Sequence, residues 1–300
     1  MGHIFGDIYA GHEALHWWFI LLGHLYRKPL FLYATSAGPF KNGMLNPLRR
    51  WLYPKFVQLV TREELSASYI KELMGADTKV TITADSAIQQ QVAPFCRADY
   101  FRGNDSQISE RLLVAVSLNN HRYPDARCPK TQQALYDREL AKVLRHLVDK
   151  HRAHLMLFPQ LYGAAHNDVP YLERIAKELP EHASWEIVDP EANSDRQRAL
   201  FAMCDIHLAS RYHPAIFGNT GFVPGICIYY EHKAQGFMDQ LGLEQYAFDI
   251  AKPDAHELCR ALDEIIDTRE KLASHLRMKI PELQRRSRST TEMAIQYLSA

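Results

Sequence analysis

The chain has no excess of charge of either sign: 35 Lys and Arg stand against 35 Asp and Glu, a formal net charge of zero. Generalised nucleic-acid binding usually shows as a basic excess, so the balance argues against that class. Cysteine is scarce and scattered. Cys96, Cys128, Cys204, Cys227 and Cys259 are odd in number and form no C-x-x-C pair, which argues against a disulfide framework and a structural zinc site. Cys204 and Cys227 lie in apolar segments and are expected to be small buried hydrophobes. A reducing compartment, the cytoplasm, is the matching expectation. No His, Cys and Asp group has metal-ligand spacing, so neither a metal nor a cofactor is expected.

Long apolar runs are missing too. The most apolar stretch, 15–25, is broken by His16 and His24 and closed by Arg27, well short of a bilayer span. No basic segment precedes it, so it does not read as a signal peptide. Its Trp17-Trp18-Phe19 cluster fits a core helix or a subunit contact, and a homo-oligomer is one expectation.

What is present is a globular composition, 47% apolar and 23% charged, over 300 residues. That length fits two domains. Short apolar runs alternate with helical patterns along the whole chain, which points to an α/β fold with parallel sheets. In the first half, 30–34, 57–61 and 79–84 read as strands, and 62–74 as a helix closed by Gly75. The polar, weakly periodic stretch 97–110 reads as the connection between domains. A second series follows, with strands at 112–118, 154–158, 185–188, 205–209 and 225–229 and helices at 131–151, 168–178 and 194–203. Residues 257–280 read as one helix, with Pro281 breaking it before a basic tail helix. The expected division is 1–105, 106–280 and a C-terminal helix over 281–300.

The chemistry concentrates in Ser210-Arg211-Tyr212-His213-Pro214 and in Tyr229-Tyr230-Glu231-His232-Lys233. Each segment follows a predicted strand, and ligands of open α/β sheets bind outside the carboxyl ends of strands. Ser210 is suited to cap the next helix, whose first N–H groups add partial positive charge. Arg211 offers a planar fork for phosphate or carboxylate. His213 can act as acid or base near neutrality, and Lys233 adds a mobile point charge. Singly, these would be surface cations and a structural histidine; together they predict a small-anion pocket. Asn119 and Arg122 follow the 112–118 strand and Gln160 and His166 the 154–158 strand; all are further candidates, while Glu231 is placed to pair with Lys233.

The run from Leu200 to Leu243 resembles the polysaccharide pyruvyl transferase signature: Ser-x-Arg-x-His-like, a small-residue helix, Gly-x-Pro, then Tyr-x-x-Lys before Phe and Leu-Gly-Leu. The first half is similar as well. Ser36-Ala37-Gly38-Pro39-Phe40 resembles the family's Gly-Pro-Phe loop, Thr61-Arg62-Glu63-Glu64-Leu65-Ser66 its Thr-x-Arg-Glu-x-x-Ser helix start, and Ala84-Asp85-Ser86-Ala87 its Asp-x-Ala turn.

The resemblance implies two Rossmann-like domains arranged as in GT-B glycosyltransferases, the first shortened because Gly6-Asp7 comes so early. It implies transfer of an enolpyruvyl-derived group from phosphoenolpyruvate to a sugar of a cell-surface polysaccharide or its precursor, giving a pyruvate ketal. Arg211 and His213 are then the catalytic candidates. Lys233, Ser210, Asn119, Gly38, Pro39, Arg62 and Asp85 are the substrate-binding ones. The expected partners are phosphoenolpyruvate and a sugar or glycan acceptor, with peripheral association at the inner face of the membrane if that acceptor is lipid-linked. The competing readings are a GT-B glycosyltransferase using a nucleotide sugar and a non-catalytic member that binds an anionic glycan.

Overall fold

The computed structural model describes residues 10–90, 92–102, 106–121, 123, 126–161 and 167–298. The chain divides into two compact units: residues up to Gln90 together with those from Pro281 onward, and residues Gln91–Ile280.

The first unit contains α1 (Ala10–Leu25), β1 (Leu30–Thr35), α2 (Asn46–Leu52), β2 (Phe56–Thr61), α3 (Glu64–Met74) and β3 (Thr81–Ile82). Its three strands lie in the order β1-β2-β3, all parallel. Ile20, Leu32, Leu52, Leu59, Ile70 and Leu73 pack together in its core. Glu63 caps α3 by accepting from the Ser66 N–H at 2.6 Å, and Gly75 ends it with a φ of 114°.

The second unit begins with α4 (Arg97–Tyr100) and β4 (Leu113–Ser117), then α5 (Pro129–His151), β5 (His154–Leu157), α6 (Val169–Ala176) and β6 (Ser184–Ile187). It continues through α7 (Ser194–Ala202), β7 (Ile206–Ala209), α8 (Tyr212–Thr220), β8 (Gly225–Tyr229), α9 (His232–Leu241), β9 (Ala247–Asp249) and α10 (Ala255–Asp267). The six strands run parallel in the order β6-β5-β4-β7-β8-β9. The chain winds outward one way from β4 and the other way from β7, so the crevice at the switch point falls between those two strands. Every β4 residue is buried, as a central strand covered on both faces requires. Each Val or Leu there contributes about 1.5–3 kcal/mol by leaving water.

His207 of β7 is fully buried beneath α8, with Nδ1 3.0 Å from the Val223 carbonyl. A β-carbon on Gly218 would overlap its ring. The glycine in the small-residue helix therefore makes room for a buried imidazole.

Three organisational expectations change. Residues 97–110 are not a bare connection: Phe101 and Ile108 pack with Leu113, Met156 and Phe158 of the second unit. The helix break falls at Thr268, which caps α10, and α11 (Arg269–Leu298) runs through Pro281. Nor is the tail separate, since it joins the first unit through buried bonds. Gln284 Nε2 donates to the Ile88 carbonyl at 3.1 Å and Ser287 Oγ to that of Asp85 at 3.0 Å, while the Thr290 and Thr83 hydroxyls lie 2.7 Å apart.

Candidate functional site

The carboxyl ends of β4, β7 and β8 bring Ser117 and Asn119, Ser210 and Arg211, and Glu231 and Lys233 to one edge of the second sheet. The Ser210 N–H donates to the Ser117 carbonyl at 2.7 Å, extending the β4–β7 pairing into the crevice. Ser210 is fully buried, and its hydroxyl accepts from Tyr136 of α5 at 2.5 Å. It is therefore not the cap: Arg211 occupies that position in extended backbone, with φ −137° and ψ 151°. Burial pushes the Tyr136 phenol up, against its hydrogen bonding with Ser210 and the Asn119 backbone, so it stays neutral.

Arg211 Nη2 donates to Asp168 Oδ1 at 3.0 Å. The other Asp168 oxygen accepts from the backbone N–H groups of Gln160 and Leu161 at 3.0 and 2.9 Å, so the loop after β5 anchors the carboxylate that holds the guanidinium. Arg211 Nε is buried and has no hydrogen-bond partner among the described residues; neither has Ser117 Oγ. A buried charged donor left unmatched is expensive, at roughly 1–3 kcal/mol or more, and an incoming oxyanion would satisfy it.

Lys233 Nζ pairs with Glu231 Oε2 at 2.5 Å and lies 5.8 Å from the Tyr212 ring centroid. His213 is exposed on the first turn of α8, its ring 5.5 Å from that of Tyr212. In that turn Tyr212 and His213 carry N–H groups with no intrahelical carbonyl to meet, and Pro214 has none to leave unmatched. The edge thus combines a helix start with two cations already matched by carboxylates, rather than three bare positive charges.

A cavity of about 440 Å³ opens along the carboxyl ends of β4, β8 and β9, lined by His121, Tyr123, Arg127, Gln132, Tyr230 and Asp249 among others. The His121 and Tyr230 rings of its lining lie 4.7 Å apart, tilted by 33°.

In the first unit the three motif segments meet in one buried network. Arg62 Nε donates to Ser36 Oγ at 2.8 Å and Nη1 to Asp85 Oδ2 at 2.5 Å. Ser66 Oγ donates to Glu63 and accepts from the Ala37 N–H at 2.7 Å. Gly38 follows with a φ of +84°, and a β-carbon there would sit 2.5 Å from the Tyr69 ring. Beside this loop a cavity of about 290 Å³ is lined by Pro39, Phe40, Lys41, Asn46, Arg50 and Tyr69 among others.

The family model for polysaccharide pyruvyl transferases matches residues 1–232. The chain belongs to the polysaccharide pyruvyl transferase family. Amylovoran biosynthesis protein AmsJ of Erwinia amylovora is 24% identical over 277 residues, covering 90% of this chain and 65% of that protein. The chain therefore spans just under two thirds of that relative's length. Among solved structures, HepE of Anabaena with UDP and glucose superposes with a TM-score of 0.58 at 13% identity, over 94% of this chain and 74% of that one. MnaA of S. aureus with UDP gives 0.54 at 13% identity, over 91% and 68% of the two chains. The trehalose-6-phosphate synthase OtsA gives 0.51 at 12% identity, over 89% and 67%. The fold is thus the α/β architecture of two parallel sheets found in GT-B proteins.

In this pyruvyl transferase family member the predicted residues fall into two groups. Asn119, Ser210, Arg211, His213 and Lys233 share the edge of the second sheet, and Gly38, Pro39, Arg62 and Asp85 share the strand-end loops of the first. Arg62 and Asp85 are nearly fully buried and bonded to each other, and through Ser36 they hold the start of the Gly-Pro-Phe loop. Gln160 bonds Gln197 at 2.7 Å, while Arg122, His166 and the Gly6-Asp7 segment lie outside the described residues. Tyr136 and Asp168 escaped the sequence reading because their partners are 74 and 43 residues away. No helix among the described residues is long and apolar enough to cross a membrane. The fold also assembles what sequence spacing did not predict: His146, His151 and Asp263 meet on α5 and α10.

Proposed function

We propose that this chain transfers a pyruvyl group from phosphoenolpyruvate to a sugar of a cell-surface polysaccharide or its precursor. The supporting observation is Arg211: held from one side by Asp168, it keeps a buried Nε–H with no hydrogen-bond partner among the described residues, at the switch point and beside a helix start. Family membership adds the reaction class.

In the proposed reaction two hydroxyls of one sugar bond to C2 of the donor. The C2–O bond to phosphate breaks, C3 gains a proton to become a methyl group, and the second hydroxyl proton leaves with phosphate. Arg211 and Lys233 bind the phosphate and carboxylate, with Asp168 and Glu231 keeping the cations in place until the donor arrives. His213, exposed on the first turn of α8, moves the proton. The first unit, with its Gly38-Pro39-Phe40 loop, takes the acceptor. A lipid-linked acceptor would bring the enzyme to the cytoplasmic membrane face.

The test is incubation of the purified chain with phosphoenolpyruvate and a panel of sugar acceptors. Phosphate release, with a product equal in mass to acceptor plus pyruvate less water, supports the reading. Thermal stabilisation by a nucleotide sugar but not by phosphoenolpyruvate would replace it with glycosyl transfer. Binding of neither would leave a glycan-binding or partner-binding role.

A further inference from the structure

We infer that His146, His151 and Asp263 form a binding site for a transition-metal ion of the zinc type, on a part of the second unit that the donor site does not use. His146 Nε2 and His151 Nε2 both approach one carboxylate oxygen, Asp263 Oδ1, at 2.8 and 2.6 Å. All three ligand atoms lie within 4.8 Å of one another. The second Asp263 oxygen accepts from Lys150 Nζ at 2.8 Å.

This arrangement has the chemistry of a metal site in three respects. Two imidazole nitrogens and one carboxylate oxygen are a borderline donor set, which favours zinc and its late first-row neighbours over calcium or magnesium, whose sites are built from oxygen. The donors are mounted on a 23-residue helix and a 13-residue helix, so their backbone positions are set by packing rather than by a loop. The oxygen of Asp263 that would not touch the ion is held from outside by Lys150, as outer partners commonly hold ligating carboxylates.

As a purely hydrogen-bonded cluster, two imidazoles must spend their donors on the same oxygen. With an ion between them, each Nε2 supplies a lone pair instead, and the N–H protons leave or move to Nδ1. The three groups are only partly buried, with side-chain exposures of 25%, 16% and 26%. Water can therefore complete the coordination. An ion there would tie the carboxyl-terminal end of α5 to α10. The site is one for binding and bracing, and the transferase reading neither needs it nor depends on it.

The test is titration of chelator-treated full-length protein with zinc chloride, followed by calorimetry and by thermal unfolding. The expected result is one ion per chain, with a rise in the unfolding midpoint, since an ion that binds only the folded state stabilises it by mass action. His146→Ala and His151→Ala should each weaken zinc binding at least tenfold and abolish the midpoint rise. Lys150→Met, which keeps all three ligands but loses the outer hold on Asp263, should keep saturable binding and a midpoint rise, with a smaller loss of affinity than the histidine double variant shows. Circular dichroism of each variant without metal separates lost binding from lost folding, and His151→Asn serves if the alanine variant is unfolded. Zinc binding of unchanged affinity in the His146→Ala, His151→Ala double variant would assign it to other histidines and overturn the site. So would the absence of saturable binding by the unmodified chain.

Discussion

Glu13 of α1 and Arg49 of α2 grip each other at two points, Nη2 to Oε2 at 2.6 Å and Nε to Oε1 at 2.9 Å, and neither side chain reaches solvent. Arg49 also donates to Asn46 Oδ1 at 2.9 Å and places its guanidinium 4.9 Å from the Phe40 ring. The pair thus braces the Gly-Pro-Phe loop from behind. Arg49→Met leaves a buried carboxylate without its partner and should lower stability by about 3–5 kcal/mol. The double variant Glu13→Leu, Arg49→Met should be less destabilised than Arg49→Met alone. Urea unfolding of the three proteins reads both effects.

For the proposed reaction, Arg211→Lys and His213→Ala should fail differently. Lysine keeps the charge but loses the fork held by Asp168, so the KM for phosphoenolpyruvate should rise by about tenfold or more with a smaller change in kcat. His213→Ala should lower kcat by roughly 10²–10⁴, the usual contribution of a positioned acid or base, with an unchanged unfolding midpoint. Steady-state kinetics separates the two, and near-normal constants in both variants would remove these residues from the mechanism.

His207 carries a stability change that depends on pH. Burial holds its imidazole down at about 4, against the partly opposing hydrogen bond to Val223. The unfolded chain takes up that proton near 6.5. Between those values the unfolded state binds more protons, so stability is complete above about pH 6.5 and falls as pH drops toward 4, by about 3 kcal/mol in all. An NMR titration of the imidazole is the direct check: a ring that titrates near 6.5 in the folded protein would contradict this.

Gly38→Ala should destabilise the first unit by about 1–3 kcal/mol, because the substitution meets both a φ of +84° and the Tyr69 ring. Thermal unfolding measures the loss. On the proposed reaction, acceptor KM should rise while the KM for phosphoenolpyruvate holds.

Much of this was legible in sequence because the relevant signals are local. Strand and helix alternate with short periods, Asn193 caps α7 through the Arg196 N–H as its type suggests, and Gly75 and Gly242 close helices in the backbone regions glycine favours. Distant partners decided the rest. Ser210 looks like a cap, yet the Tyr136 hydroxyl claims it and the helix starts one residue later. The Glu231–Lys233 pair, two residues apart, was readable from spacing, whereas the Asp168 carboxylate that holds Arg211 lies 43 residues away. β9, three residues of mixed polarity, carries too little periodicity to be seen. His146 and His151 stand five apart, not the four of a familiar helical histidine pair, and Asp263 lies more than a hundred residues downstream.

The closure of the first unit by residues 281–298 has a consequence during synthesis. The second unit is one continuous stretch, so it can fold as soon as residue 280 has left the ribosome. The first unit must wait with Thr83, Asp85 and Ile88 unmet until Thr290, Ser287 and Gln284 emerge. The half made first is therefore the half completed last: with residue 280 outside the ribosome the sheet of six strands can be finished, while the sheet of three still lacks the bonds from Gln284, Ser287 and Thr290.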